Sequence, residues 1–476
     1  MSTDDFFRAR LDQMIDLRHP LAVLAQRMPW SQIEAALAPL FAHKDRAGRV
    51  VEDSDLFGPT SAVAGAGVSA RGRPRLPIRL MVALLYLKHA YNESDESVVQ
   101  RWSQDVYFQF FSGMQYFEPR LPCDDSQIGR FRRVLGEAGV EQLLKTTIEA
   151  AVGMGAVKPA EFERVIVDTT VQEKAVAHPS DSRLLEVARA KIAQLATRAG
   201  IKLKQSYAAE SKQLRRRAGG YAHARQFKRL RSVLRRQRVI LGRLLRDVQR
   251  KLNDDIRAKL SPWLERAWRI HSQRPHDKQK LYALHAPEVE CIGKGKARQP
   301  FEFGVKVSMA VTHKQGLIVG ARSFPGNPYD GHTLASQIEQ TTVLLQDIGV
   351  KPMTAVVDLG YRGVDHLVPL QIVHRGRYKT MSTQQRQWLK RRQAIEPTIG
   401  HTKHDHGMRR CWLKGSEGDA LHAVLCAAGF NIRWLLRAIA RGGIAVLVFV
   451  LGLITIAPMR ALVSSTRPPA AVLPTQ

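Results

Sequence analysis

Two short apolar runs punctuate the chain, and each closes on an aspartate. Arg164-Val-Ile-Val-Asp168-Thr-Thr170 and Thr354-Ala-Val-Val-Asp358-Leu-Gly360 are rich in β-branched residues, with turn formers after them. That pattern predicts buried strands. An Asp at the end of such a strand sits where the sheet meets solvent, and there it holds a charge that the interior would reject. Strand patterning returns at 280–284, at 301–309 (which alternates with period two), at 317–321 and at 371–374. Gly293-Lys-Gly-Lys296 reads as a hairpin loop. Residues 327–333 read as a turn into a helix ending near Asp347.

The remaining periodicity is helical. Residues 78–88, 96–102 and 126–135 carry apolar positions at three- and four-residue spacing, and Ser126 after Asp124 and Asp125 marks a helix start. Short helices with tight turns, the last bearing Arg130, Arg132 and Arg133, suit either a helix-turn-helix DNA reader or a helical cap. Arg71-Gly-Arg-Pro-Arg75 before them is a basic segment fit to track phosphates or to serve as a solvated linker. From 183 to 270 the chain is one basic helical region. Leu230, Val233, Leu234, Leu241, Leu244, Leu245, Val248 and Leu252 form its apolar stripe, and Arg229, Arg235, Arg236, Arg243, Arg246 and Arg250 its other face. Like charges at this spacing are destabilising alone and are explained by a phosphate partner. Gly219-Gly220 is expected to break the region into a hairpin.

The expected fold class is α/β: a mixed sheet flanked by helices. It comprises a helical N-terminal region over 1–160, for DNA binding if its short helices are a reader, a mixed-sheet domain over 161–440 that bears both aspartate strands and is interrupted by the basic helical insertion at 183–270, and an apolar tail at 441–476. The tail's run 444–457 is stopped by Pro458 before the about 20 residues a membrane span needs, so no membrane is expected.

Composition narrows the partner. A net charge of +30 and a pI near 10.4 attract polyanions, nucleic acid first, then ribosomal or membrane surfaces. Cys123, Cys291, Cys411 and Cys426 are scattered, which argues against a zinc site or disulfide framework and suits a reducing cytoplasm. No signal peptide is visible in the first thirty residues.

The candidate chemistry rests on Asp168, Asp358 and a third acid, Glu396, in Arg391-Arg-Gln-Ala-Ile-Glu396-Pro-Thr-Ile-Gly-His-Thr-Lys403. Three converging carboxylates repel by several kcal/mol at an effective dielectric of about 20. A hard divalent cation, Mg²⁺ or Mn²⁺, is the expected counter-charge, in the two-metal arrangement that serves phosphoryl displacement. His401, His404 and His406 look like a metal cluster, but surface or phosphate-contacting roles are commoner.

Asp168-Thr-Thr-Val-Gln-Glu-Lys174, Asn327-Pro-Tyr-Asp-Gly-His-Thr333, Val357-Asp-Leu-Gly-Tyr-Arg-Gly363 and Ile395-Glu-Pro-Thr-Ile-Gly-His-Thr-Lys403 together resemble DDE transposases of bacterial insertion sequences. The nearest group is the IS-five branch of the IS-four/IS-five superfamily. The resemblance implies an RNase H-like catalytic domain, a triad of Asp168, Asp358 and Glu396, Mg²⁺ dependence and cut-and-paste chemistry. It further implies double-stranded DNA partners (terminal inverted repeats and target), a homodimer in the active complex, and a cytoplasmic, nucleoid-associated site of action. Of the superfamily's Tyr-x2-Arg-x3-Glu-x6-Lys signature, Arg392, Glu396 and Lys403 are in place, with Arg392 and Lys403 as phosphate contacts or Arg392 simply paired with Glu396, while Leu389 stands at the tyrosine. Pro397 biases Glu396 away from helix, so a kink or a helix starting there is expected. Another RNase H-like nuclease, or a decayed basic DNA-binding protein, fits the same residues.

Overall fold

The long pairing at the centre of the sheet explains how the two aspartate strands meet. In the computed structural model, which describes residues 9–41, 76–293, 295, 300–363 and 368–463, six strands form one sheet. They are β1 Arg164–Glu173, β2 Glu290–Gly293, β3 Phe301–Thr312, β4 Ile318–Phe324, β5 Thr354–Val356 and β6 Gln371–Val373. β1 and β3 run antiparallel from Val165↔Thr312 to Glu173↔Gly304. β4 and β2 share the far edge of β3. On its other side β1 pairs in parallel with β5, and β5 with β6. Val165, Ile166, Val167, Ala355 and Val356 are fully buried, as a strand covered on both faces requires.

The expectation that the first run ends on its aspartate needs correction. Thr169, Thr170 and Val171 are β-branched, and they carry β1 on to Glu173 against β3. It is β5 that stops, at Val356. Asp168 therefore stands where β1 loses its parallel neighbour, and the edge comes from the partner strand. Carried two residues beyond Val356, the β1–β5 register sets Asp358 level with Asp168.

Two further expectations fail for local reasons. Residues 280–284 are not a strand. Leu281 N–H donates to Gln273 Oε1 at 3.0 Å and Leu281 C=O accepts from Gln273 Nε2 at 3.2 Å, so one amide supplies what a neighbouring strand would. Nor do Gly219 and Gly220 break the basic region. They lie inside the helix Ala208–His223, and the turn comes at Arg225, with φ of 53°. Leu214 and Ala218 pack on Val233 and Ile240 of the next helix, which outweighs the helix cost of glycine, about 1 kcal/mol each.

The region is thus four helices, Asp181–Arg198, Ala208–His223, Phe227–Arg250 and Asp254–Ser272. Leu184, Leu185, Leu241, Leu244, Leu245 and Val248 share one core with Leu260, Leu264 and Ile270, so the expected apolar stripe is the buried one. The chain divides into two compact units, 1–160 with 428–476, and 161–427.

In the first unit the helix Ile78–Ala90 buries eleven of its thirteen residues and forms the core. The helix Asp125–Gly153 starts on the Asp124 cap and bends at Gly136, with φ of 59°. The C-terminal helix runs Gly415–Val463, so Pro458 does not end it as expected. Among the described residues its part Gly415–Gly442 is long and apolar enough to cross a membrane, and two thirds of that apolar stretch is buried, as in a core helix. Arg71–Arg75, and all of the expected hairpin loop but Gly293 and Gly295, lie outside the described residues.

Candidate active site

Asp168 is the centre of the site because most of the neighbouring charges converge on it. Its Oδ1 accepts from Thr169 N–H at 2.8 Å, and its Oδ2 from Arg392 Nη1 at 3.2 Å. Burial pushes its carboxyl up to about 6, Asp358 adds to that, and Thr169 N–H and Arg392 oppose it. Asp358 caps the short turn Leu359–Tyr361, accepting from Gly360 N–H at 2.8 Å.

Glu396 opens the helix Ile395–Asp405 with Pro397 in its first turn, the second of the two expected arrangements. Its carboxylate is 63% exposed and meets Arg392 Nη2 at 3.5 Å. One guanidinium therefore bridges Asp168 and Glu396. Among the described residues the three carboxylates are not gathered within 4.8 Å of one another, because Arg392 stands between two of them.

A fourth acid borders the cluster. Asp330 begins the helix Asp330–Leu344; its Oδ1 accepts from Thr169 Oγ1 at 2.9 Å and pairs with Lys306 Nζ at 2.8 Å. A Cβ at Gly360 would meet Asp330 Oδ2 at 2.9 Å and Asp358 Oδ1 at 3.0 Å, so only glycine lets these two acids flank that turn. Tyr361 is fully buried beneath the acids. Burial drives the phenol well above its ordinary range, and Asp168 and Asp330 push it further.

Sequence reasoning missed Tyr361, Lys306 and the reach of Arg392 to Asp168, while the pairing of Arg392 with Glu396 was the alternative that their spacing offered. Tyr361 was signalled by its place in Val357-Asp-Leu-Gly-Tyr361.

The expected phosphate and DNA contacts fall into two groups. Arg130 and Arg133 are exposed, as are Arg235, Arg243 and Arg246. Three others are committed within the fold. Arg132 is a correction: it is buried in an ion pair with Asp95, which Lys88 shares, and so closes the first unit's core. Arg236 holds Glu210 by two bonds, at 2.7 and 3.0 Å. Lys403 turns to Glu302 of β3, at 3.4 Å, and that carboxylate is buried. His401 pairs with Asp405 at 2.7 Å on the exposed face.

The donor set fits hard divalent cations. Three carboxylates and a fourth nearby are countered by Arg392 and Lys306, and the oxygens of Asp168, Asp358 and Glu396 would hold the ions.

Comparison with known proteins places this geometry in context. Residues 45–134 match a family model described as "Transposase domain (DUF772)", and residues 366–436 match one described as "Transposase DDE domain". The second stretch includes Arg392, Glu396 and Lys403. An uncharacterized protein, ORF8 in the nfe locus of Rhizobium meliloti, is 41% identical over 224 residues, 47% of this chain and 95% of that protein. No solved structure matches. Two transposase stretches lie in one chain, one of them carrying Glu396, and the similarity spans almost the whole of the Rhizobium meliloti protein; the chain belongs with that protein in one family, and it is a transposase with a DDE domain.

Proposed function

We propose that this transposase binds the ends of an insertion sequence and cuts and rejoins DNA there by metal-dependent phosphoryl transfer, with Asp168, Asp358 and Glu396 as the catalytic triad. One observation carries the reading. Two aspartates far apart in the chain, Asp168 on β1 and Asp358 two residues past the end of its parallel neighbour β5, come within electrostatic reach of each other, and Glu396 is tied to the first of them through Arg392. The sheet order β4-β3-β1-β5-β6, antiparallel through the first three strands and parallel through the rest, supports an RNase H-like domain. The four motifs support the IS-five branch.

In this mechanism the chain's residues hold, orient and neutralise. Asp168, Asp358 and Glu396 would hold Mg²⁺ or Mn²⁺, which would supply charge stabilisation to the attacking and leaving oxygens of an in-line displacement at phosphorus. Arg392, released from Glu396, turns its planar fork to the phosphate of the reacting strand. Thr169 and Lys306 fix Asp330, and Gly360 N–H holds Asp358 on the same turn. Lys403 steadies the helix that carries Glu396 through Glu302 and contacts phosphate at its exposed rim. A homodimer brings two element ends together, and the work is done on DNA in the cytoplasm.

The test is cleavage and strand transfer on oligonucleotides carrying the inverted repeats that flank the gene, in Mg²⁺ and in EDTA. Asp168→Asn, Asp358→Asn and Glu396→Gln should each lower the rate at least about a hundredfold while binding of the ends persists. An active Glu396→Gln beside a dead Asp330→Asn would move the third ligand to Asp330. Cutting without joining would leave a nuclease, and binding without either a decayed copy.

A further inference from the structure

From His374 to Ala394 the chain carries seven Arg or Lys and no Asp or Glu. It folds as the short turn Arg375–Thr380 and the helix Thr383–Arg391, whose first turn is closed by reciprocal bonds between Ser382 and Gln385. The helix is fixed against the sheet at two points. The Arg164 guanidinium lies 3.6 Å from the ring centre of Trp388, and Arg391 donates to the carbonyls of His313 and Lys314.

Between turn and helix runs an open groove of about 530 Å³ that reaches Asp358 and Arg392. Arg375, Arg386 and Lys390 line it, and Asp358 is its only acid among the described residues. Arg375 on the turn and Arg386 and Lys390 on the helix face the same groove and repel one another, and among the described residues neither Arg375 nor Lys390 has a carboxylate to offset it. Arg386 is held over Tyr378, 5.0 Å from the ring centre, and it too has no carboxylate partner among the described residues. The acceptor that suits two planar guanidinium forks, an ammonium and an open channel ending at the acids is a run of phosphate oxygens.

We infer that this groove holds the phosphodiester backbone of the DNA strand on one side of the reacting phosphate, with Arg375, Arg386 and Lys390 as positioning residues. The assignment rests on the DNA-cutting reading above and adds the path by which the strand reaches Asp358.

The full-length protein in EDTA is bound to a short labelled duplex with a single-stranded overhang, and anisotropy is followed over a range of salt. Each phosphate that is no longer neutralised should reduce the log–log slope by about 0.7 on a single strand and about 0.9 on duplex. The triple variant Arg375→Gln, Arg386→Gln, Lys390→Gln should therefore flatten it by about two to three and weaken binding at least about tenfold. On the wild-type complex, lysine acetylation mapped by mass spectrometry should find Lys390 shielded several-fold by DNA. Equal labelling of Lys390 in free and bound protein, or an unchanged slope in the triple variant, overturns the assignment. Neither readout needs metal or turnover. Failure here leaves the acid cluster's role standing, whereas a shielded Lys390 in a protein that never cuts DNA upholds the groove and defeats only the cutting reading.

Discussion

Asp168 shows how a single residue trades stability for chemistry. Its folded carboxyl titrates at about 6 against an ordinary 3.8, so the folded state holds the proton more tightly than the unfolded chain. Its contribution to stability is therefore best below about 4, declines as pH rises to about 6, and stays unfavourable above that. Asp168→Asn, measured by thermal unfolding in EDTA, should be more stable than wild type at neutral pH by no more than about 3 kcal/mol, from about 1.4 kcal/mol per pH unit. The gap should narrow on acidification toward pH 4. The side chain is 17% exposed and Arg392 loses a partner, so the observed gain will be smaller. A gap that does not change with pH would show that Asp168 titrates like an exposed acid. Added Mg²⁺ should raise the wild-type midpoint and leave the variant's unchanged.

At the scale of elements, the lysine that closes the first motif proves to be a strut. Lys174 follows β1, and its ammonium meets Glu288 at 2.9 Å and Asp419 at 2.8 Å, with all three side chains at most 11% exposed. It thereby ties the end of β1 to the segment before β2 and to the start of the C-terminal helix. Lys174→Met strands two buried carboxylates and should cost about 3–5 kcal/mol in urea unfolding of the second unit. A loss under about 1 kcal/mol would mean that water reaches the pair. Gly304 sets a comparable limit by sterics: a Cβ there would lie 1.9 Å from the Gln172 carbonyl oxygen, so β1 and β3 approach only with glycine at that position.

Much of this was legible in the chain. Apolar runs of β-branched residues located β1, β3, β4, β5 and β6, and Asp168 and Asp358 stand in and just beyond two of them. What was hidden came from partners distant in sequence. The length of β1 was decided by β3, the solvent edge at Asp168 by where β5 stops, and the fate of 280–284 by the side chain of Gln273. Arg132, Arg236 and Lys403 read as free cations only because Asp95, Glu210 and Glu302 cannot be paired with them from spacing.

Over the whole molecule the charge of +30 is spread unevenly in its availability. Among the arginines of the four-helix insertion, Arg235, Arg243 and Arg246 are exposed, and Arg236 is neutralised by Glu210. Changing the three to Gln should lower the salt slope of DNA binding by about 2.7, at about 0.9 per phosphate, on every sequence alike. Arg236→Gln should change it by much less, and an equal change would show that DNA breaks the pair with Glu210. If the triple variant keeps its slope, the insertion serves protein contacts instead.

That same insertion has a temporal consequence. β1 leaves the ribosome well over a hundred residues ahead of β3, the strand that covers nearly its full length. At roughly 5–20 residues per second of synthesis, a hydrophobic strand waits on the order of ten seconds without its partner. Meanwhile the four helices, whose contacts are local, can close around their own core. The nascent chain should therefore pass through a state with the insertion folded and β1 open to solvent, the interval in which a chaperone holding extended apolar segments would matter most to its yield.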